Sequence, residues 1–300
     1  MTTPYSKLKP LPIPVAVVGP GSQFEDEALQ YMSMPQGMST YQPPRLGAWH
    51  ELPAASSARE LLDRVFEALA AARESVLAGQ AGAGVRVDLR ACAAADRRLL
   101  DQLLGEGEVS ARIEGPRTAD IQETVFAGLW RVAVFEDGRL VEDYVEAACV
   151  PTLLRAVAAR PLEPPASLDL TAAEVPPSVM NAPSILTELA DVLRLRRADG
   201  PAHVVNLTLL PLSPEDIACL EQRLGRGPLT ILSRGYGNCR VTSTAIPHCW
   251  RVVYYNSQDA IILDTIEVSA MPDAVCAAAE DLADSVGRFA EVLASSFGTD

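Results

Sequence analysis

Residues 227 to 256 read Gly-Pro-Leu-Thr-Ile-Leu-Ser-Arg-Gly-Tyr-Gly-Asn-Cys-Arg-Val-Thr-Ser-Thr-Ala-Ile-Pro-His-Cys-Trp-Arg-Val-Val-Tyr-Tyr-Asn. The stretch is read as strand, glycine-rich turn, strand, strand. Leu229 to Leu232 and Val241 to Thr244 are β-branched or apolar runs. Between them Gly235-Tyr236-Gly237-Asn238 supplies residues that tolerate positive φ. The expectation is a tight turn that holds Arg234, Tyr236, Cys239 and Arg240 together on one rim.

Outward from this stretch, the chain repeats itself. Trp250-Arg251-Val252 stands 120 residues after Trp130-Arg131-Val132 (250 − 130), and the same offset pairs Val205 with Val85, Leu209 with Leu89, Asp216 with Asp96, Gly225 with Gly105 and Gly227 with Gly107. Past Gly138 the offset becomes 121, pairing Glu267 with Glu146 and Pro272 with Pro151. One extra residue at a hairpin tip is where a duplication tolerates change.

The expected fold is therefore α+β, a tandem duplication of a helix-strand-helix-antiparallel strands-helix unit, with pseudo-twofold related subdomains and helices against one sheet face. The expected divisions are an extended arm at 1–55, a first repeat at 56–160, a proline-rich linker at 161–182 and a second repeat at 183–300. The arm carries nine prolines between positions 4 and 53, each removing a backbone donor. Within it Met32, Met34 and Met38 give a flexible apolar segment, read either as packing on its own domain or as docking on a partner.

Local signals agree. Ser57-Ala58-Arg59-Glu60 has the form of a capping box ahead of Leu61, Val65 and Leu69 at helical spacing. Asp137-Gly138 between apolar runs signals a hairpin. Ser213-Pro214-Glu215-Asp216 gives an N-cap, a first-turn proline and two first-turn acids, and Pro272 is expected to begin the final helix.

A net charge of −14 argues against nucleic acid, which needs a basic stripe. No run approaches the roughly 20 apolar residues of a membrane span, so a cytoplasmic protein without membrane insertion is expected. Six cysteines without a C-x-x-C pair argue against a disulfide framework or a zinc ribbon.

The reactive side chains fall in the second repeat, because Cys239, Asn238 and His248 stand opposite Ala119, Thr118 and Gly128. With Arg234 and Arg240 nearby, Cys239 is the candidate thiol, read as structural or partner-contacting rather than nucleophilic. Cys239, His248 and Cys249 are weak candidates for metal ligands, since adjacent strand residues point apart. Trp130 and Trp250 are read as core. No catalytic residues and no cofactor are proposed from these patterns.

The strings at 224–240, 250–257, 104–113 and 123–132, with Gly-Pro-Gly-Ser-Gln at 19–23 and Met-Pro-Gln-Gly-Met at 34–38, closely resemble the HupH/HyaF/HoxQ family of hydrogenase expression proteins. The resemblance covers nearly the whole chain. It implies a cytoplasmic accessory chaperone for uptake [NiFe] hydrogenase, without enzymatic activity, that binds the iron-sulfur small-subunit precursor before export and meets other maturation factors. The expected partner-binding residues are Arg234, Gly235, Tyr236, Gly237, Asn238, Cys239, Arg240, Met32, Met34 and Met38. The alternative is a redox or iron-sulfur/metal transfer protein using Cys239.

Overall fold

A computed structural model describes residues 57–79, 84–162, 168, 176–197, 200–235 and 237–297. The arm, with Met32, Met34 and Met38, and also Tyr236 lie outside the described residues.

The ten strands among the described residues form one antiparallel sheet. In chain order the elements are α1 (Ser57–Leu77), β1 (Val85–Asp88), α2 (Ala94–Leu104), β2 (Val109–Ile113), β3 (Arg117–Glu123), β4 (Leu129–Glu136), β5 (Arg139–Ala147) and α3 (Thr152–Ala158). They continue with α4 (Ala182–Leu195), β6 (His203–Asn206), α5 (Pro214–Leu224), β7 (Leu229–Ser233), β8 (Asn238–Ser243), β9 (Cys249–Tyr255), β10 (Ile261–Val268) and α6 (Ala279–Phe297). Strand order across the sheet is β1-β5-β4-β3-β2-β7-β8-β9-β10-β6. It reads the same from both ends once β1 to β5 are exchanged for β6 to β10. The halves meet at β2 and β7, where Ala111 lies opposite Ile231, two residues that are themselves 120 apart.

Residues at matching register positions are counterparts, and they make matching bonds. Gly105 and Gly225 end α2 and α5 at φ 56° and 60°. Thr124 and Thr244 each accept from the amide two residues on, at 3.1 Å in both cases. Trp130 and Trp250 are buried as expected, their indole N–H groups donating to Ala148 O at 2.9 Å and Ser269 O at 3.2 Å. A Cβ on Gly107 or Gly227 would overlap the carbonyl oxygen of Thr124 or Thr244, so only glycine fits either place.

Both faces of the sheet are covered. Alternation sends Ala111, Ile121, Trp130, Ile231, Cys239 and Trp250 to one face, under α3 and a short 3-10 turn at Asp273–Val275. The opposite face carries α1, α2 and α6 over the first half and α4 and α5 over the second. The expectation of helices on one face alone is corrected by α3, whose Leu154 and Ala158 pack beneath the central strands.

Two more expectations are revised. Pro272 begins only the 3-10 turn, and α6 starts at Ala279 and packs on the first half, with Phe289 stacked on Phe66 (6.1 Å) and edge-on to Phe126 (4.8 Å). Conversely Leu168, from the segment after the first half, is buried with α4 and α5. Beside β10, register places Val205 at the position of Val87 and Leu207 at that of Leu89, not Val85 and Leu89 with Val205 and Leu209. Val87, Val205, Leu89 and Leu207 are all buried, whereas Leu209 is 78% exposed. Two additional residues between here and α5, a stretch that contains the three-residue 3-10 turn Leu207–Leu209, restore the offset of 120.

Ser213 caps α5 as expected and Asp216 closes the box; its carboxylate also accepts from the amides of Met180, Asn181 and Ala182 at 2.8–2.9 Å. One acid thereby fixes the N-termini of α4 and α5 together.

Candidate partner-binding surface

The turn from Arg234 to Gly237 joins β7 to β8 beside the lead-in to β2. Arg234 N donates to Glu108 O at 3.2 Å. Gly235 lies so close to the Glu108 carboxylate that a Cβ would overlap it, and Gly237 takes φ +105° with open space around it. Gly235 is thus flush against its neighbour, whereas Gly237 is open.

Along β8, Asn238, Arg240 and Thr242 are half-exposed while Cys239, Val241 and Ser243 are buried. The Arg240 guanidinium sits 5.6 Å from the Tyr255 ring centre, within cation–π range. Counterparts of the two arginines carry the opposite charge. Glu114 stands where the second half has Arg234 and pairs with Arg226 at 3.5 Å; Asp120 stands at the position of Arg240 and pairs with Arg112 at 2.9 Å. Across the β7–β8 pair, Arg240 faces Leu232 where Asp120 faces Arg112. Arg240 therefore lies beside an aromatic ring where its counterpart Asp120 pairs across strands with Arg112, and the counterpart of Arg234, Glu114, pairs with Arg226 of the second half.

Cys239 is not on that rim. It is 4% exposed and faces the core shared with Trp250, because a residue between two outward-facing neighbours on a strand points inward. Burial pushes its thiol up to about 12 against the favourable Tyr254 hydroxyl bond, with Glu267 raising it further. A thiol so held is protonated at neutral pH and is turned away from the surface.

The metal-ligand grouping also fails. Cys249, 1% exposed, lies in the core under α4 and α5, on the face opposite Cys239. Burial raises its thiol to about 12. His248 adopts φ +61° at the place of Gly128, and burial together with the charge of Arg196 lowers its imidazole. Among the described residues no three His, Cys, Asp or Glu side chains gather in metal-binding geometry.

The family model described as "HupH hydrogenase expression protein, C-terminal conserved region" matches residues 55–163 and 179–296. The chain belongs to the HupH family. It is 51% identical to hydrogenase expression/formation protein HoxQ of Cupriavidus necator, with 94% of this chain and 96% of the relative covered. It is 44% identical to hydrogenase expression/formation protein HupH of Rhodobacter capsulatus, over the same shares of each. A solved structure, hydrogenase expression protein HupH from Thiobacillus denitrificans, is 33% identical, covering 38% of this chain and 92% of that one with a TM-score of 0.34.

In this HupH-family chain a second charge arrangement escaped the reading of residues. Arg131 pairs with Asp143 and, at 3.0 Å, with Asp101; Arg251 pairs with Asp264 at 2.8 Å and with Glu221. Subtraction could have found it, since Asp101 and Glu221 are 120 apart and Asp143 and Asp264 are 121 apart. These bonds tie α2 to β4 and α5 to β9, so they belong to the scaffold rather than to the surface.

Proposed function

We propose that this chain is an accessory factor in the maturation of [NiFe] hydrogenase that acts in the cytoplasm by binding a client, the iron-sulfur small-subunit precursor, before export. What supports a maturation role is membership of a family whose relatives are named hydrogenase expression or formation proteins. The observation that carries the binding reading is the reversal of charge at two counterpart positions. Arg234 and Arg240 stand where the first half has Glu114, paired with Arg226 of the second half, and Asp120, paired with Arg112, and a local change in the sign of surface charge can steer and orient a partner. No helix among the described residues is long and apolar enough to cross a membrane.

The reading is of a binder without a catalytic centre. It also includes descent of the two halves from one duplicated unit, favoured by shared bonds at Gly107 and Gly227, Thr124 and Thr244, and Trp130 and Trp250. The test is co-purification of the full chain with the small-subunit precursor. Arg234→Glu with Arg240→Glu should lower the captured amount at least about 10-fold, the size expected for reversing charges at a recognition surface. Capture equal to that of the unaltered chain would refute the assignment. The transfer reading through Cys239 is disfavoured by burial of that thiol, and Cys239→Ser should leave maturation intact.

A further inference from the structure

At the outer edge of the first half, β1 places Arg86 opposite Glu146 on β5. Arg86 Nε is 3.2 Å from Glu146 Oε2, and the guanidinium lies 4.6 Å from the centre of the Tyr144 ring. Glu146 is fully buried, and its other oxygen accepts from the Thr152 amide at 2.8 Å and from the Thr152 hydroxyl. This carboxylate has a cation, an aromatic plate and two donors. Burial of a charge is tolerated on those terms.

The same place in the second half is built without the cation. Register sets Glu267 on β10 where Glu146 stands, but opposite it on the edge strand β6 is Val204. Thr152 becomes Asp273 (152 + 121), so donors are replaced by another negative charge. What Glu267 has is Thr265 Oγ1 at 3.3 Å. Burial raises the Glu267 carboxyl and the charge of Asp273 raises it further. Burial first, then Cys239, and after it the charges of Glu267 and Asp273, push the Tyr254 hydroxyl up to about 12.

Among the described residues no Lys or Arg forms an ion pair with Glu267 or Asp273. Arg155 of α3, whose charge reaches Cys276, is itself engaged. The site is also open. Val204 is 51% exposed, Asp273 is exposed, and Glu267 is half-buried.

We propose that Glu267 and Asp273 receive an arginine side chain of a partner protein, in the place that Arg86 fills within the first half. The internal counterpart identifies the ligand class, because the same sheet position in the same chain already holds a guanidinium on a glutamate. Arginine suits it better than lysine, because its planar fork can reach two carboxylates at once; the Tyr144 plate of the first half is replaced by Thr265. The site is an acidic receptor at the sheet's edge, separate from the arginines of the β7–β8 turn, so a client would meet complementary charge at two points.

The test uses the full chain and N-acetyl-arginine amide as the probe, followed by NMR of the Glu267 carboxyl and the Tyr254 ring. Titration should move both signals. Val204→Arg, which rebuilds the first-half arrangement, and Glu267→Gln should each weaken probe affinity at least about 10-fold, the loss of one charge-assisted hydrogen bond. Both variants should melt cooperatively like the unaltered chain. Signals that stay fixed, or that move equally in Val204→Arg, would overturn the proposal. So would signals that respond only after Lys7, Lys9 and Arg45 are changed to Gln, which would show the chain's own amino-terminal segment in the site. Because no hydrogenase component is used, failure here leaves the maturation reading standing, and failure of client capture leaves this site standing.

Discussion

Glu123 shows how a single side chain departs from its counterpart. It ends β3 where β8 ends in Ser243, and it is 6% exposed with Oε1 accepting from Gly128 N at 3.2 Å. Burial raises its carboxyl to about 7, outweighing the Gly128 amide, and the charge of Glu108 adds to the rise. The folded state thus holds this proton more tightly than the unfolded chain, whose carboxyl titrates near 4.5. That stabilisation is complete below pH 4.5 and is lost as pH rises through 7. Glu123→Gln keeps the hydrogen-bond acceptor and cannot ionise, so its stability relative to the unaltered chain should climb between pH 4.5 and 8 by on the order of 3 kcal/mol. Urea unfolding at the two pH values measures it, and a pH-independent difference would contradict the burial argument. At this scale the sequence was legible where alternation was applied and misleading where proximity was used instead. Cys239 is flanked in sequence by Asn238 and Arg240, yet the strand that exposes those two buries it.

Among elements, α6 was the hardest to place. Its length and spacing mark it as a helix, but nothing local says which half it covers, because an apolar stripe fits any complementary layer. The structure carries it from the end of the second half onto α1, where Phe289 is fully buried between Phe66 and Phe126. Phe289→Ala should cost about 3–5 kcal/mol in urea unfolding. A loss below about 1 kcal/mol would mean that α6 is not a structural part of the first half. The β6 region was misaligned for a different reason. Identical letters favoured Val205 with Val85 and Leu209 with Leu89, whereas burial favours Val87 and Leu207. The hairpin at Asp137-Gly138 and the capped start of α5 were readable because their signals are local: φ 48° and 72° in the first, a closed Ser213–Asp216 box in the second.

At the scale of the molecule, the ten strands among the described residues join in one sheet, and that could not be read from the chain. Pairing of β2 with β7 joins residues about 120 apart, and long-range pairing leaves no periodic trace in either strand. What was legible is the recurrence, at an offset of 120, of glycines, tryptophans and threonines that make matching bonds in both halves of the sheet. The proposed function rests on departures from it: Asp120 paired with Arg112 and Glu146 paired with Arg86 in the first half, arginines on the rim and an open acidic site in the second. Cells that make a [NiFe] hydrogenase allow the two halves to be compared directly, by measuring mature hydrogenase activity with charge reversals at counterpart positions. Arg234→Glu with Arg240→Glu should lower that activity at least about 10-fold, while Glu114→Arg with Asp120→Arg, at matched protein levels, should leave it within about twofold. Equal loss from both pairs, or loss from the first-half pair alone, would contradict the claim that the second half carries the binding surface.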